Sequence, residues 1–434
     1  MYLLCTLVML VSHAFAARGF FSRIFLGRMP RTVDCGVMSI LCFYDCGYVI
    51  ELLGVPYQND YIPSLFEAST PTFAAVVLIL TLVPWVILAG SFFTGGRTTL
   101  PQEPITRLKP SRHSLFYGAL PVLLTPFVIV GAWPVVINGD AVWSARATFS
   151  SDWGCLLIIF YFPMHVLAFY VRQQDSRSKS GRLIALLLMF AAIFSTLSTG
   201  QRTYFLLPIL FFCLFCFRIR WFHFLVVGTI LILIAGVLVP LFKSQYSERN
   251  LASAETATMM LYSDIARVGM LGAAIDASEP IGTRILPYPM SGYVYSALLF
   301  VPRSLAPYKG RPTAVHMTAH LDHTIPADTD WQLGMGAIEE ASVNLGTLMI
   351  FPILFLYGML FGWFDQVSLQ SPSLVVATRL GALWVCAHNL ASLLPLFGVM
   401  GMVDHMLDRI LVEFVQDGNE RDLAHHRGGN DSRS

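Results

Sequence analysis

The chain is poor in charge. Of its 434 residues only 13% are Asp, Glu, Lys or Arg, where a soluble domain carries about 25%. The net charge is +1 and no basic block stands out, which excludes a nucleic-acid partner. Cysteine is sparse as well. There are eight, all in or at the edge of apolar stretches, and they do not make a disulfide scaffold. Cys213 and Cys216 have CxxC spacing, but inside an unbroken apolar run, so the pair reads as membrane filler rather than a redox motif. No Walker A loop, GxSxG, GxGxxG, HExxH or EF-hand loop is present. Asp328-Thr329-Asp330 matches DxD by letters alone. Apolar residues, by contrast, make up 55% of the chain, with a mean hydropathy of +0.63. That excludes an ordinary soluble enzyme and a disordered chain.

A helix needs about 20 apolar residues to cross a bilayer. Runs of that kind cover 73–95, 115–137, 153–171, 183–200, 203–217, 221–241, 347–366 and 374–393. Three more are weaker. Residues 1–16 are apolar but short, 33–54 carry Asp34, Asp45 and Glu51, and 397–416 carry Asp404, Asp408, Arg409 and Glu413. The first sixteen residues end in His13-Ala14-Phe15-Ala16-Ala17, as a cleaved signal would, but lack a positive n-region and so read as a span. The pattern predicts an all-α polytopic membrane protein with about 11 transmembrane helices and one long extracytoplasmic loop.

Lys and Arg set the orientation. The loops 17–32, 96–114 and 172–182, the pair Arg218 and Arg220, and the tail together hold 17 basic residues, while the opposite short loops hold two, Arg146 and Arg202. The basic side is cytoplasmic and the N-terminus lies outside. This gives an N-terminal transmembrane bundle over 1–242, an extracytoplasmic loop over 243–346, C-terminal transmembrane helices over 347–416 and a cytoplasmic polar tail over 417–434. The loop holds seven Lys/Arg and ten Asp/Glu. Structureless loops of that length are uncommon unless functional, so it reads as an active-site element, the alternative being a passive surface loop. Its apolar, aromatic middle, Tyr293 to Val301, is expected to touch the membrane surface or pack on the bundle.

Several residues on the outer side carry candidate chemistry. Arg202 follows Gly200 in a tight break between two apolar helices, where a guanidinium beside a helix N-terminus makes an anion site. The plain alternative is a snorkelling anchor. Arg267, three residues after Asp264, is either a local ion pair or a second anion ligand. Arg303 and Lys309, held between prolines just past an apolar run, suit a phosphate at the membrane surface or a lipid head group. Glu339 and Glu340 lead toward the span 347–366. Glu340 and Asn344, spaced i, i+4, share one helical face. A desolvated carboxylate there has a raised pKa and can serve as general base, the alternative being an acidic helix start facing water. Glu340 is the first choice for the base, with Glu339 and the histidines behind it. His316, His320 and His323 form H-x3-H-x2-H, which suits a histidine base better than a metal site. Tyr308 and Trp331 are placed to stack on sugars or to anchor the interface. Asp404, His405, Asp408 and Arg409 form either an internal relay or an amphipathic helix end.

Three motifs in order, Gly200-Gln201-Arg202-Thr203 before an apolar helix, Pro302-Arg303-Ser304-Leu305-Ala306-Pro307-Tyr308-Lys309, and Glu340-Ala341-Ser342-Val343-Asn344-Leu345-Gly346 ahead of a span, resemble the Wzy-type O-antigen polymerases of bacteria. The likeness is clearest over 180–420. It implies a GT-C-like glycosyltransferase of the bacterial inner membrane, using undecaprenyl-diphosphate-linked oligosaccharides on the outer face. The resemblance implies no cofactor, no metal and no nucleotide sugar, and partners in a flippase and a chain-length regulator. On this reading Arg202, Arg303 and Lys309, with Arg267, meet the diphosphate. Glu340 or Glu339 activates the acceptor hydroxyl, Asn344 orients the sugar or the base, and Tyr308, Trp331, His316 and His320 line the sugar site. An O-antigen ligase is the nearest rival and a transporter or flippase of lipid-linked oligosaccharide the next.

Overall fold

The computed structural model describes residues 2–26, 30–52, 64–94, 226, 267–298, 301, 305–329, 334–367, 378–383 and 385–386. All belong to one of the two compact units into which the chain divides. Among the described residues the structure is helical, with no strand. Three helices are long and apolar enough to cross a membrane, Leu4–Phe25, Thr70–Phe93 and Thr347–Gln366. They mark a helical membrane protein.

The first helix, α1 (Tyr2–Phe25), does not stop at residue 16. It continues through Arg18 and Arg23, which the sequence reading put in a loop. Long basic side chains at a helix end carry their charge to the polar boundary without breaking the helix, and Arg23 meets Asp34 at 3.5 Å. The acid-bearing run 33–54 forms α2 (Thr32–Ile40), a π-helical turn (Leu41–Asp45) and α3 (Cys46–Leu52) in direct succession. Asp34, Asp45 and Glu51 are all buried. A carboxylate in an apolar bundle needs partners, and each has them. Asp34 takes a two-pronged bond from Arg31, at 2.7 and 3.0 Å. Glu51 accepts from the Ser64 hydroxyl and the Leu65 amide, both at 2.9 Å. Asp45 meets His13.

Cross-helix bonds fix the directions. His13 reaches Asp45, Thr6 reaches Tyr48 and Gly19 lies against Asp34, so α1 and the α2–α3 run are antiparallel. The helix α4 (Thr70–Phe93) runs parallel to α1, with the Ser12 hydroxyl on the Thr81 carbonyl and Leu88 on Ala16 and Ala17. Ser69 caps its start, accepting from the Thr72 amide.

The polar segment forms α5 (Arg267–Asp276), α6 (Ser291–Ala297), α7 (Thr313–Leu321) and α8 (Ala337–Leu345). Its buried residues include Met270, Ala274, Leu286, Met317, Met335 and Val343 in one apolar cluster. The helix α9 (Ile350–Val367) packs parallel to α4 at very close range. Gly90 lies on the Phe355 carbonyl, Gly358 on the Ile87 carbonyl and Gly362 on Ser91, so a Cβ at any of them would collide with backbone. Small residues permit such an approach, which replaces the hydrophobic drive that lipid cannot supply.

The ends of the helices sort by polarity partner. At one end the Thr32 amide and hydroxyl both donate to Asp365 Oδ1 at 2.8 Å. There the buried Arg379 donates to the Pro30 carbonyl at 2.7 Å and lies 3.4 Å from Asp365. At the other end the Thr72 hydroxyl donates to Asp276 and joins α4 to α5. The helix α8 reaches inward from there. Its first amide, Ala337, donates to the Val385 carbonyl at 2.9 Å, while the Cys386 amide donates to Ser39 Oγ at 3.1 Å.

Candidate functional site

Glu339 lies in the first turn of α8 and is fully buried. Its Oε2 closes the helix start by accepting from the Gly336 amide at 3.0 Å. The same oxygen accepts from the Tyr44 hydroxyl at 2.7 Å. Tyr44 stands near the middle of the run Thr32–Leu52, in the π turn. Glu339 is therefore level with the interior of the bundle. Its other oxygen, Oε1, has no hydrogen-bond partner. Burial pushes its pKa up, against the Tyr44 bond, its backbone bonds and the nearby Arg267 guanidinium, all of which pull it down.

Arg267 opens the described part of α5 and is buried. Its Nη1 donates to the Gly334 carbonyl at 2.5 Å. A Cβ at Gly334 would press on the guanidinium, so glycine there makes room for it. Tyr44, Glu339 and Arg267 thus join three parts of the chain that are far apart in sequence. A buried carboxylate with a raised pKa, one oxygen without a hydrogen-bond partner and a nearby cation is a candidate proton acceptor.

Glu340 is also buried and lies near two phenols, Tyr293 and Tyr357. Burial raises the Tyr293 pKa and Glu340 raises it further. Neither acid faces water, so the alternative of a solvated helix start does not hold. Asn344 is fully buried one turn after Glu340. Its Oδ1 accepts from the Gly292 amide at 2.9 Å, and its Nδ2 donates to Thr313 Oγ1 at 3.1 Å and to the Glu340 carbonyl at 2.8 Å. Asn344 clamps α6, α7 and α8 together, and its amide is spent on the protein. Beyond it, Gly346 ends α8 at φ 102°, a conformation that suits glycine. A side chain there would also meet the Ile281 backbone at 2.7 Å.

The other expected site residues are spread out. Lys309 is buried, donates to the Val301 carbonyl at 3.1 Å and sits 5.2 Å from the Tyr295 ring centroid. Tyr308 is exposed. His316 on α7 is half-buried, and burial followed by the Arg311 charge lowers its pKa. His320 is exposed. No group of three metal-ligating side chains occurs among the described residues. Arg202, Arg303, Trp331 and the set Asp404, His405, Asp408 and Arg409 lie outside the described residues.

The sequence reading missed Tyr44, Asp45 and His13. Their signal was present, because ionisable residues in an apolar run are costly and point to a function by default. Their partners, 295 residues away for Tyr44 and 32 for Asp45, are visible only in three dimensions. Compared with known proteins, the chain matches no family model, no curated protein and no solved structure.

Proposed function

We propose that the chain is a membrane glycosyltransferase that joins undecaprenyl-diphosphate-linked oligosaccharide units into a surface polysaccharide on the outer face of the bacterial inner membrane. The observation that supports it most is the buried Glu339 carboxylate, with one oxygen held by Tyr44 and the other open, beside Arg267. The motif likeness over 180–420 supplies the substrate class.

The reaction needs a base and an electrostatic partner for a leaving diphosphate. The acceptor sugar hydroxyl gives its proton to Glu339 while its oxygen bonds to the anomeric carbon of the growing chain. The bond from that carbon to the phosphate oxygen breaks, and the electron pair leaves on the lipid diphosphate. Arg202, Arg303 and Lys309 are assigned to that diphosphate, and Arg267 to the neighbourhood of the base. Glu339 ranks ahead of Glu340 because its Oε1 is unclaimed. Glu339 is closed off in this state, so acceptor binding has to open the contact between α8 and the π turn. Tyr308, Trp331, His316 and His320 remain the assigned sugar contacts, and a flippase and a chain-length regulator the assigned partners.

The test is a surface-glycan gel after in-frame deletion of the gene. Collapse of a polymer ladder to a single-repeat band supports a polymerase. Loss of every repeat-bearing band supports a flippase or ligase instead. A transporter of the same lipid-linked unit is the second reading, and the three buried acids along the α2–α3 run favour it.

A further inference from the structure

Two local breaks in helix geometry meet at one place in the bundle. The first is Pro84, buried in the interior of α4. Proline has no amide hydrogen, so the carbonyl four residues earlier loses its helical donor. That carbonyl belongs to Leu80, and His13 Nε2 lies 2.6 Å from it. The second is the π turn Leu41–Asp45, whose last residue places both carboxylate oxygens against His13 Nδ1, at 2.7 and 2.8 Å. His13 is 1% exposed and Asp45 is 7% exposed. Turns of the π type often mark functional positions in helices.

Hydrogen counting defines the state of the pair. The Leu80 carbonyl can only accept, so Nε2 carries a hydrogen. The contact between Nδ1 and Asp45 then needs one more, placed on either partner. Without it, a carboxylate would face the nitrogen lone pair in an apolar interior, and both repulsion and desolvation oppose that. The pair therefore closes around one shared proton and opens when the proton leaves.

We propose that His13 and Asp45 form a proton-binding site at mid-height in the membrane bundle, loaded when α1 docks on the π turn and the Pro84 break, and emptied when α1 separates. The ligand is the proton itself. Among the described residues His13 is the basic group that meets Asp45. Most of the other titratable groups on the packed elements have partners of their own. Helix α4 has none. Cys42 and Cys46 flank Asp45 as thiols, and Tyr44 and Tyr48 bond to Glu339 and Thr6. Glu51 bonds to Ser64, Asp276 to Thr72, and Asp365 to Thr32. Arg267 acts on Glu339 from α5, and Arg23 and Arg31 pair with Asp34. Arg18, Cys5, Cys35 and Tyr357 are further titratable groups on these elements. The proposal does not rest on glycosyl transfer.

The test uses the full chain in lipid nanodiscs and infrared difference spectra between pH 5 and pH 9, a window of about two units either side of neutral that spans histidine titration. The expected wild-type result is a paired imidazole and carboxyl signal that H13Q and D45N each abolish in full, both members together. P84A touches neither titrating group but returns an amide donor to Leu80, so it is expected to shift the imidazole member and leave the carboxyl member in place. If D45N does not accumulate, H13Q and P84A carry the same comparison. The proposal is overturned if D45N keeps the imidazole signal at wild-type strength, or if the wild type shows no paired signal.

Discussion

Two parts of the bundle bury their helices in opposite ways. Along the α4–α9 seam the helices touch backbone to backbone at Gly90, Gly358 and Gly362. No ionisable group takes part in those contacts. Along the α2–α3 run the helix instead carries Asp34, Tyr44, Asp45, Tyr48 and Glu51, each bonded to a partner outside the run. A close-packed seam has one arrangement and resists change. A ladder of ionisable groups is costly in an apolar interior, so its persistence points to work done there. The comparison marks the first part as support and the second as the place where a functional group is expected.

The comparison can be broken at the end where Arg379 meets Asp365. Arg379→Ala leaves Asp365 without its cation and is expected to cost about 3–5 kcal/mol. A loss of folded protein by size-exclusion chromatography checks it. The seam comes next. Gly358→Val drives a side chain into the Ile87 carbonyl and is expected to cost about 1–3 kcal/mol, read as a fall in Tm with no change in the pH profile. Tyr44→Phe removes one bond to Glu339 and is expected to cost about 1.5 kcal/mol in stability. Unlike the seam change, it should also alter the pH dependence.

That dependence has a definite sign. Burial raises Glu339 above its ordinary 4.5, so the folded chain keeps a proton that the unfolded chain gives up. The resulting stabilisation is complete below that ordinary value and is lost as pH rises through the folded one. The Tm advantage of Glu339→Gln over wild type should therefore grow with rising pH. The smallest effect is expected at the exposed pair Arg284 and Glu279. Glu279→Gln should leave Tm unchanged, since such pairs contribute little.

Among the described residues, part of the scaffold was legible in the sequence, while the runs 115–137, 153–171, 183–200, 203–217 and 397–416 lie outside them. The runs 73–95 and 347–366 fall on α4 and α9 within a few residues, because continuous hydropathy is a local property. The first helix was cut short, since Arg18 and Arg23 read as a loop while their long side chains let the helix continue. The region around Glu339 and Glu340 was legible as a buried acidic start to a helix. Which of the two is held by a phenol was not, because Tyr44 meets Glu339 across 295 residues. Asn344 was legible as a neighbour of Glu340, but its clamp on Gly292 and Thr313 depends on α6 and α7. The His13–Asp45 pair was hidden for the same reason, although the carbonyl freed by Pro84 could be counted from sequence alone.

The most direct test of the central claim replaces the chromosomal gene with E339Q and, separately, E340Q, with membrane expression verified for each. The account predicts that E339Q reduces the surface polymer to the single-repeat pattern of the deletion while E340Q retains a ladder. A full ladder from E339Q at normal expression would contradict it.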